Sequence, residues 1–126
     1  MPPRQSVTLT EAELRIMDVL WQRGSGTVQH VLDGISDPPL AYNSVLTTVR
    51  VLEKKGYVLH EKDGRAHVYR PTIGRHEASR SEIGHLVHRF FRNSHEELVL
   101  NILEDRGLNS EELDRLREML SRSEAK

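Results

Sequence analysis

The sequence has no cysteine and no long apolar run, and each absence excludes a class of protein. Without cysteine the chain cannot be a disulfide scaffold, a zinc ribbon or a thiolate copper site. No apolar stretch approaches the ~18–20 residues that cross a bilayer, and residues 1–10 lack the apolar segment of a secretory signal. We therefore expect a cytoplasmic protein with no direct insertion into a membrane.

Aromatic residues are also scarce, at 5% of the 126 residues. The core must therefore be aliphatic, which favours packed helices over a large sheet. A chain of this length holds one compact domain, or a small domain with an appendage.

Net charge is nearly absent, at −1, but the charges are unevenly distributed. Residues 40–93 contain ten basic and five acidic side chains, so the middle of the chain carries +5 and the two ends together carry −6. A basic centre between acidic ends predicts a local surface for a polyanion.

Capping residues and glycine mark the first two helices. Thr10 and Glu13 have the spacing of a capping box, and Gly24 ends the helix that follows. Thr27 can cap a short second helix. Trp21 lies near the end of the first helix among aliphatic residues, so we assign it to the core and not to base stacking.

The third helix, over about residues 41–55 and ended by a glycine, has the pattern of a helix that enters the major groove of DNA. Val45, Val49 and Leu52 share one apolar face. The other side carries hydroxyl, amide and cationic groups, which contact base edges and phosphates. The predicted DNA-binding residues are Tyr42, Asn43, Ser44, Thr47, Thr48, Arg50, Lys54 and Arg65, with Lys55 and Arg70 as further phosphate contacts.

Two short β-strands are predicted next, at residues 57–61 and 66–70, joined by a turn at residues 62–65. Asp63-Gly64 between two such runs is a strong hairpin signal. Three short helices followed by a hairpin with a basic tip is the element order of a winged helix.

Beyond the hairpin, amphipathic helices are predicted over about residues 75–91, 96–104 and 110–120, with Ser110 as the cap of the last. Their apolar stripes have no partner in a winged helix that fills its own core, so we expect them to meet a second copy of the chain. The predicted fold class is mostly α with a small β-hairpin wing. It comprises a winged helix-turn-helix domain (1–72) and a C-terminal helical dimerisation domain (73–126). The predicted dimerisation residues are Leu86, Phe90, Leu98, Ile102, Leu113, Leu116 and Leu120.

Several short motifs occur in a specific order along nearly the whole chain. They include LAYNSVLTT at residues 40–48, KDGR at 62–65, LVLNIL at 98–103 and LNSEEL at 108–113. This order resembles the penicillinase repressor family, also called the BlaI/MecI family. The resemblance implies a homodimer that represses transcription by occupying double-stranded DNA at an inverted-repeat operator. We predict no cofactor.

The resemblance also implies a mode of release. In the family, a membrane zinc-metalloprotease sensor triggers cleavage of the repressor in its dimerisation domain. The scissile Asn-Phe pair aligns with Asn101-Ile102, where isoleucine replaces phenylalanine. A copper-sensing branch uses C-terminal cysteines, which this chain lacks.

Three classes of function stay open at this point: a repressor controlled by proteolysis, a winged-helix regulator controlled by a small molecule or metal ion, and a protein-interaction module that binds no DNA. The metal alternative depends on Glu82, His85 and His88, whose spacing places them on one helical face. No phosphate-binding loop, nucleophile motif or metalloprotease His-Glu-x-x-His motif is present. We therefore predict that the protein is not an enzyme.

Overall fold

The computed structural model describes residues 8–105 and 107–124, the last of them by its backbone alone. It separates the chain into two compact units, one that ends at His85 and one that begins at Leu86. The first unit thus extends past residue 72, where the sequence predicts the DNA-binding domain to end, and the functional division stays a prediction.

Three helices form the body of the first unit: α1 (Glu11–Arg23), α2 (Val28–Gly34) and α3 (Tyr42–Lys55). All three lie where the sequence predicts them. They pack their apolar faces around one core. The core is mostly aliphatic, as predicted, but it also contains the buried side chains of Tyr57 and Tyr69. The core residues with no exposed surface are Ile16, Met17, Leu20, Val31, Val45, Val49, Leu52 and Val58.

The helix ends follow the predicted local signals. Thr10 and Glu13 form the capping box of α1, because each accepts a hydrogen bond from the other's backbone N–H, at 3.2 and 2.8 Å. Thr27 Oγ1 accepts the His30 N–H at 3.1 Å and so caps α2. Gly56, with φ of +91°, ends α3 in the left-handed region that favours glycine.

An antiparallel hairpin follows, formed by β1 (Val58–Asp63) and β2 (Ala66–Pro71). The register pairs the last residue of β1 with the first residue of β2, so the turn consists of Gly64 and Arg65 alone. The strands therefore extend further into residues 62–65 than predicted. Gly64 has φ of +65°, which suits the first central position of a two-residue hairpin turn.

We call the hairpin of β1 and β2 the wing. Its base is fixed to the loop between α1 and α2. Gly26 donates its N–H to the Tyr69 carbonyl at 2.9 Å, and Tyr69 donates its N–H to the Gly26 carbonyl at 2.8 Å. The Tyr69 side chain is buried in the core. The wing is therefore held both by backbone pairing and by packing.

The start of α4 (Arg75–Phe90) is tied to α1 within the first unit. Trp21 packs against the core, as predicted, and its indole N–H donates to the Ile73 carbonyl at 2.8 Å. The Arg75 guanidinium lies 5.0 Å from the centre of the Trp21 ring and 2.7 Å from an Asp18 carboxylate oxygen.

The second unit contains the end of α4, then α5 (His95–Asp105) and α6 (Ser110–Glu124). The predicted cap of α6 is wrong by one residue. Asn109, not Ser110, accepts the Glu112 N–H at 2.9 Å, and Glu112 accepts the Asn109 N–H at 3.1 Å. Asparagine is among the best N-caps, and its side chain reaches the amide three residues on.

The second unit buries little of its apolar surface. Among the described residues from position 86 on, Val87 is the one buried hydrophobic side chain. Of the predicted dimerisation residues, Leu86, Phe90, Ile102 and Leu120 are exposed and Leu98, Leu113 and Leu116 are half-buried. Within the part of the chain that is described, no helix has the length and apolar character to span a bilayer.

Candidate nucleic-acid interface

The rotation of α3 is fixed by its apolar face. Val45, Val49 and Leu52 have no exposed surface, so the opposite side of the helix faces solvent. Asn43 and Thr47 lie there, one turn apart and exposed. A short helix with free amide and hydroxyl groups along one side has the chemistry to contact base edges in the major groove.

Two further predicted residues on this side differ in how free they are. Ser44 is exposed, and its backbone carbonyl accepts a hydrogen bond from the Thr48 hydroxyl at 2.8 Å. Thr48 is half-buried. Its hydroxyl proton is therefore used within the helix, which leaves the oxygen as an acceptor only.

We call Asn43, Ser44 and Thr47 the exposed row of α3. A groove of about 430 Å³ lies beside this row, between α3, the start of α2 and the wing. Tyr42 and Arg50 line it from α3, and Arg65 lines it from the turn of the wing. The fold thus brings together three residues that the sequence places up to 23 positions apart.

Other residues that line this groove were not predicted as DNA contacts, among them Gln29, His67 and Tyr69. No local pattern marks Gln29, because its position depends on how α2 packs on α3. His67 and Tyr69 alternate along β2, so they share the face of the strand that lies toward the groove. That alternation was a signal that could have identified them.

The cations of this region fall into a free set and a paired set. Over residues 8–105 and 107–124, no carboxylate forms an ion pair with Arg50, Lys54, Lys62 or Arg65. Free cations on one side of a small domain are what a phosphate backbone attracts.

Lys55 and Arg70, which the sequence predicts as further phosphate contacts, belong to the paired set. Lys55 Nζ lies 2.8 Å from the buried Glu13 carboxylate, and Arg70 forms an ion pair with Glu61. Lys55 lies one position past Lys54, about 100° further around the helix, and so faces α1. Arg70 and Glu61 are diagonal neighbours on one face of the hairpin.

The phenol of Tyr69 stays neutral beside the groove. Burial raises the pKa of Tyr69, and the nearby carboxylate of Glu53 raises it further, while the positive charge of Arg50 opposes both. The hydroxyl therefore keeps its proton and can donate a hydrogen bond.

The predicted cleavage pair lies within a helix. Asn101 and Ile102 are exposed and lie inside α5, not in a loop.

The metal alternative depends on side chains that would have to meet. In the described ranges no three histidine or acidic side chains lie close enough together to hold a metal ion. His88 instead places Nδ1 3.1 Å from the Asn93 side-chain oxygen.

The exposed polar side of α3, the basic turn of the wing and the groove between α3 and the wing define a winged-helix DNA-binding regulator. The family model described as "Penicillinase repressor" matches residues 9–122. The chain therefore belongs to the penicillinase repressor family, whose members are DNA-binding transcriptional repressors and not enzymes.

Individual relatives agree with this assignment. The chain is 30% identical over 113 residues to the penicillinase repressor of Bacillus licheniformis, covering 89% of this chain and 88% of the relative. It is 20% identical over 115 residues to the methicillin resistance regulatory protein MecI of Staphylococcus aureus strain N315, covering 90% and 94%. The solution structure of the DNA-binding domain of the repressor BlaI superposes with a TM-score of 0.51 at 30% identity, over 57% of this chain and 89% of that domain.

Proposed function

We propose that this chain represses transcription by binding an inverted-repeat operator as a homodimer. The observation that carries the proposal is the exposed row of Asn43, Ser44 and Thr47 beside the unpaired cations Arg50 and Arg65. In the proposed complex α3 occupies the major groove, where the row contacts base edges. The two arginines bind the flanking phosphates, which position the domain without selecting a sequence.

The homodimer is supported by the apolar surface of the second unit. Among the described residues from position 86 on, eight large hydrophobic side chains are exposed, including Phe90 at 66% and Leu120 at 59%, while Val87 alone is buried. So much exposed apolar surface in a small unit indicates an interaction surface. A second copy of the chain is the occupant we propose. A two-fold symmetric dimer presents two identical copies of α3, and the matching DNA site is an inverted repeat.

Release by proteolysis is the second part of the proposal. A cut between Asn101 and Ile102 would separate α6 from the rest of the chain, and with it Leu113, Leu116 and Leu120. Because the bond lies inside α5, the helix must open locally before a protease can act on it. A membrane metalloprotease sensor is the proposed source of the cleavage signal.

The DNA-binding proposal is tested by letting the full-length chain select operator DNA from a randomised library, and then measuring its affinity for the selected DNA and for random DNA of equal length. We expect affinity for the operator to be at least about 10³-fold higher. Equal affinity for the two DNAs would overturn the proposal.

The release proposal needs a separate test, with a site-specific protease sequence inserted between Asn101 and Ile102. Cutting the operator-bound protein should release it from the DNA. The same insertion after Gly107, between α5 and α6, tests whether loss of α6 alone is sufficient for this release. Retention of the cut protein on the operator would exclude release by cleavage at this bond.

Control by a small molecule is the alternative that a specific observation favours. A largely apolar groove of about 520 Å³ lies within the first unit, between Leu9, Trp21 and the first turns of α4. The two mechanisms differ in chain length after induction. Loss of operator binding with a full-length chain, measured by mass spectrometry, would favour the ligand.

A further inference from the structure

Two histidines stack on the wing. The rings of His60 on β1 and His67 on β2 have centroids 4.4 Å apart and are inclined by only 11°. The register places them on one face of the hairpin, because His60 pairs with Tyr69, two residues from His67 on the same strand. The stack restricts the rotation of the His67 ring, so that its position is set before any ligand arrives.

The two rings differ in their surroundings. His60 Nδ1 lies 2.5 Å from the Glu53 carboxylate of α3, so its ring is held by an anion of the protein itself. His67 has no such carboxylate among the described residues. It lines the groove instead, together with Arg50 and Arg65.

The charged groups on this face are mostly cations. The cross-strand partner of His67 is Lys62, which shares its face of the hairpin. Arg50 faces the groove from α3 and Arg65 faces it from the turn. The Glu53 carboxylate is in contact with the His60 ring. The two remaining titratable neighbours are the phenols of Tyr42 and Tyr69.

We propose that His67 is a further DNA-contacting residue that binds a backbone phosphate in its protonated form, with His60 and Glu53 as positioning residues. The proposal depends on the proposed function, since it adds a contact to the same interface. It also makes the affinity for DNA depend on pH, because imidazole is the side chain that changes charge between pH 5 and 8.

The direction of the pH dependence follows from the charge of the ligand. A phosphate beside His67 favours imidazolium over neutral imidazole, so formation of the complex takes up a proton at the ring. A complex that holds more protons than its free components becomes tighter as the pH falls. The added contact is to a phosphate, so operator and random DNA should gain equally.

The test measures the affinity of the full-length chain for operator and random DNA from pH 8 to pH 6 at constant ionic strength. We expect the wild-type affinity to rise about 5- to 20-fold for both DNAs. His67→Gln should remove most of this rise. His67→Lys should bind at pH 8 as tightly as the wild type binds at pH 6, with a flat profile. The matched control is His95→Gln, an exposed histidine at the start of α5 that does not line this groove.

The role of His60 needs a readout other than affinity. Calorimetry in buffers of different ionisation enthalpy counts the protons taken up on binding, and we expect uptake for the wild type and little for His67→Gln. His60→Ala should reduce the uptake because the ring is no longer held. His60→Phe keeps an aromatic ring in the stack and should restore it.

Each contrary outcome has a distinct meaning. A wild-type affinity that does not change with pH, or a His67→Gln profile equal to that of the wild type, would overturn the role of His67 while leaving the repressor proposal intact. No preference for the operator at any pH would overturn the proposed function itself.

Discussion

The ammonium group of Lys55, in the last turn of α3, lies 2.8 Å from the carboxylate of Glu13 in the first turn of α1. The same carboxylate accepts the Thr10 N–H at 2.8 Å, and its side chain is only 4% exposed. One buried acid therefore caps α1 and fixes the end of α3. Burial raises the pKa of Glu13, but the hydrogen bonds from Lys55 and Thr10 outweigh it and leave the pKa below its ordinary value.

This pair makes the stability of the first unit depend on pH in the acid range. Because the pKa of Glu13 is lower in the folded state, its contribution is complete above the unfolded-state pKa, near 4.3. The contribution is lost as the pH falls through the folded-state value.

Lys55→Met leaves the Glu13 carboxylate buried without its partner, so we expect the free energy of unfolding to fall by about 2–4 kcal/mol at pH 7. Denaturant unfolding at pH 7 and pH 3 measures both effects, and the loss should shrink at pH 3.

The control for this prediction is Lys54→Met, which removes the neighbouring cation of α3. Lys54 has no ion-pair partner in the described ranges, so this change should alter the unfolding free energy by less than about 0.5 kcal/mol. Equal losses for the two variants would show that the Lys55–Glu13 contact is not specific.

Sequence selectivity is expected to reside in the exposed row of α3. Asn43→Ala and Thr47→Ala should each weaken operator binding by about 1–3 kcal/mol, because a lost base contact costs that much. Affinity for random DNA should barely change. Gln22→Ala, an exposed amide on α1, serves as the control. If neither α3 variant lowers the ratio of operator to random affinity, another element selects the sequence.

The salt dependence of binding should distinguish the free cations from the paired ones. Three of the free cations, Arg50, Lys54 and Arg65, are predicted DNA contacts and give about six phosphate contacts in a dimer, so the slope of log affinity against log salt should be roughly −5. Arg65→Ala removes one contact per subunit and should reduce the slope by about 2. Arg70→Ala should leave it unchanged, because Arg70 is paired with Glu61. Equal changes for the two arginines would contradict this division.

Dimerisation should depend on the apolar surface of the second unit. Phe90→Gln combined with Leu120→Gln should give a monomer by sedimentation or light scattering. Its operator affinity should fall by about 10²–10⁴, because the second half-site is no longer bound intramolecularly. Leu59→Gln is the control, since Leu59 is exposed to the same extent as Leu120, at 59%, but lies on β1. A double variant that stays dimeric would place the interface elsewhere.

The sequence predicted those features that neighbouring residues determine. The capping box of Thr10 and the left-handed cap at Gly56 are set within one turn of helix, and both are confirmed. The apolar face of α3 is set by helical periodicity and is also confirmed. The predicted bounds of α1, α3, α4 and α5 lie within one or two residues of the observed ones, whereas α6 continues to Glu124, four residues past its predicted end.

Features that depend on distant partners could not be predicted in this way. Lys55 has the same charge and nearly the same position as Lys54, and only the packing of α1 on α3 shows that it is paired. The groove position of Gln29 likewise depends on how α2 packs. The stack of His60 on His67 required the register of the hairpin, which a one-residue shift of the turn would have changed.

The backbone bridge between Gly26 and Tyr69 divides the wing into a part that must stay constant and a part that can vary. A slip of β2 by one residue would break both bridge hydrogen bonds and move the Tyr69 side chain out of the core. Gly64 and Arg65 lie at the far end of the hairpin, outside these constraints. Insertions and changes of charge there should leave α3 undisturbed. The wing tip is therefore the place to graft a longer or more basic loop when a regulator of altered DNA affinity is engineered on this scaffold.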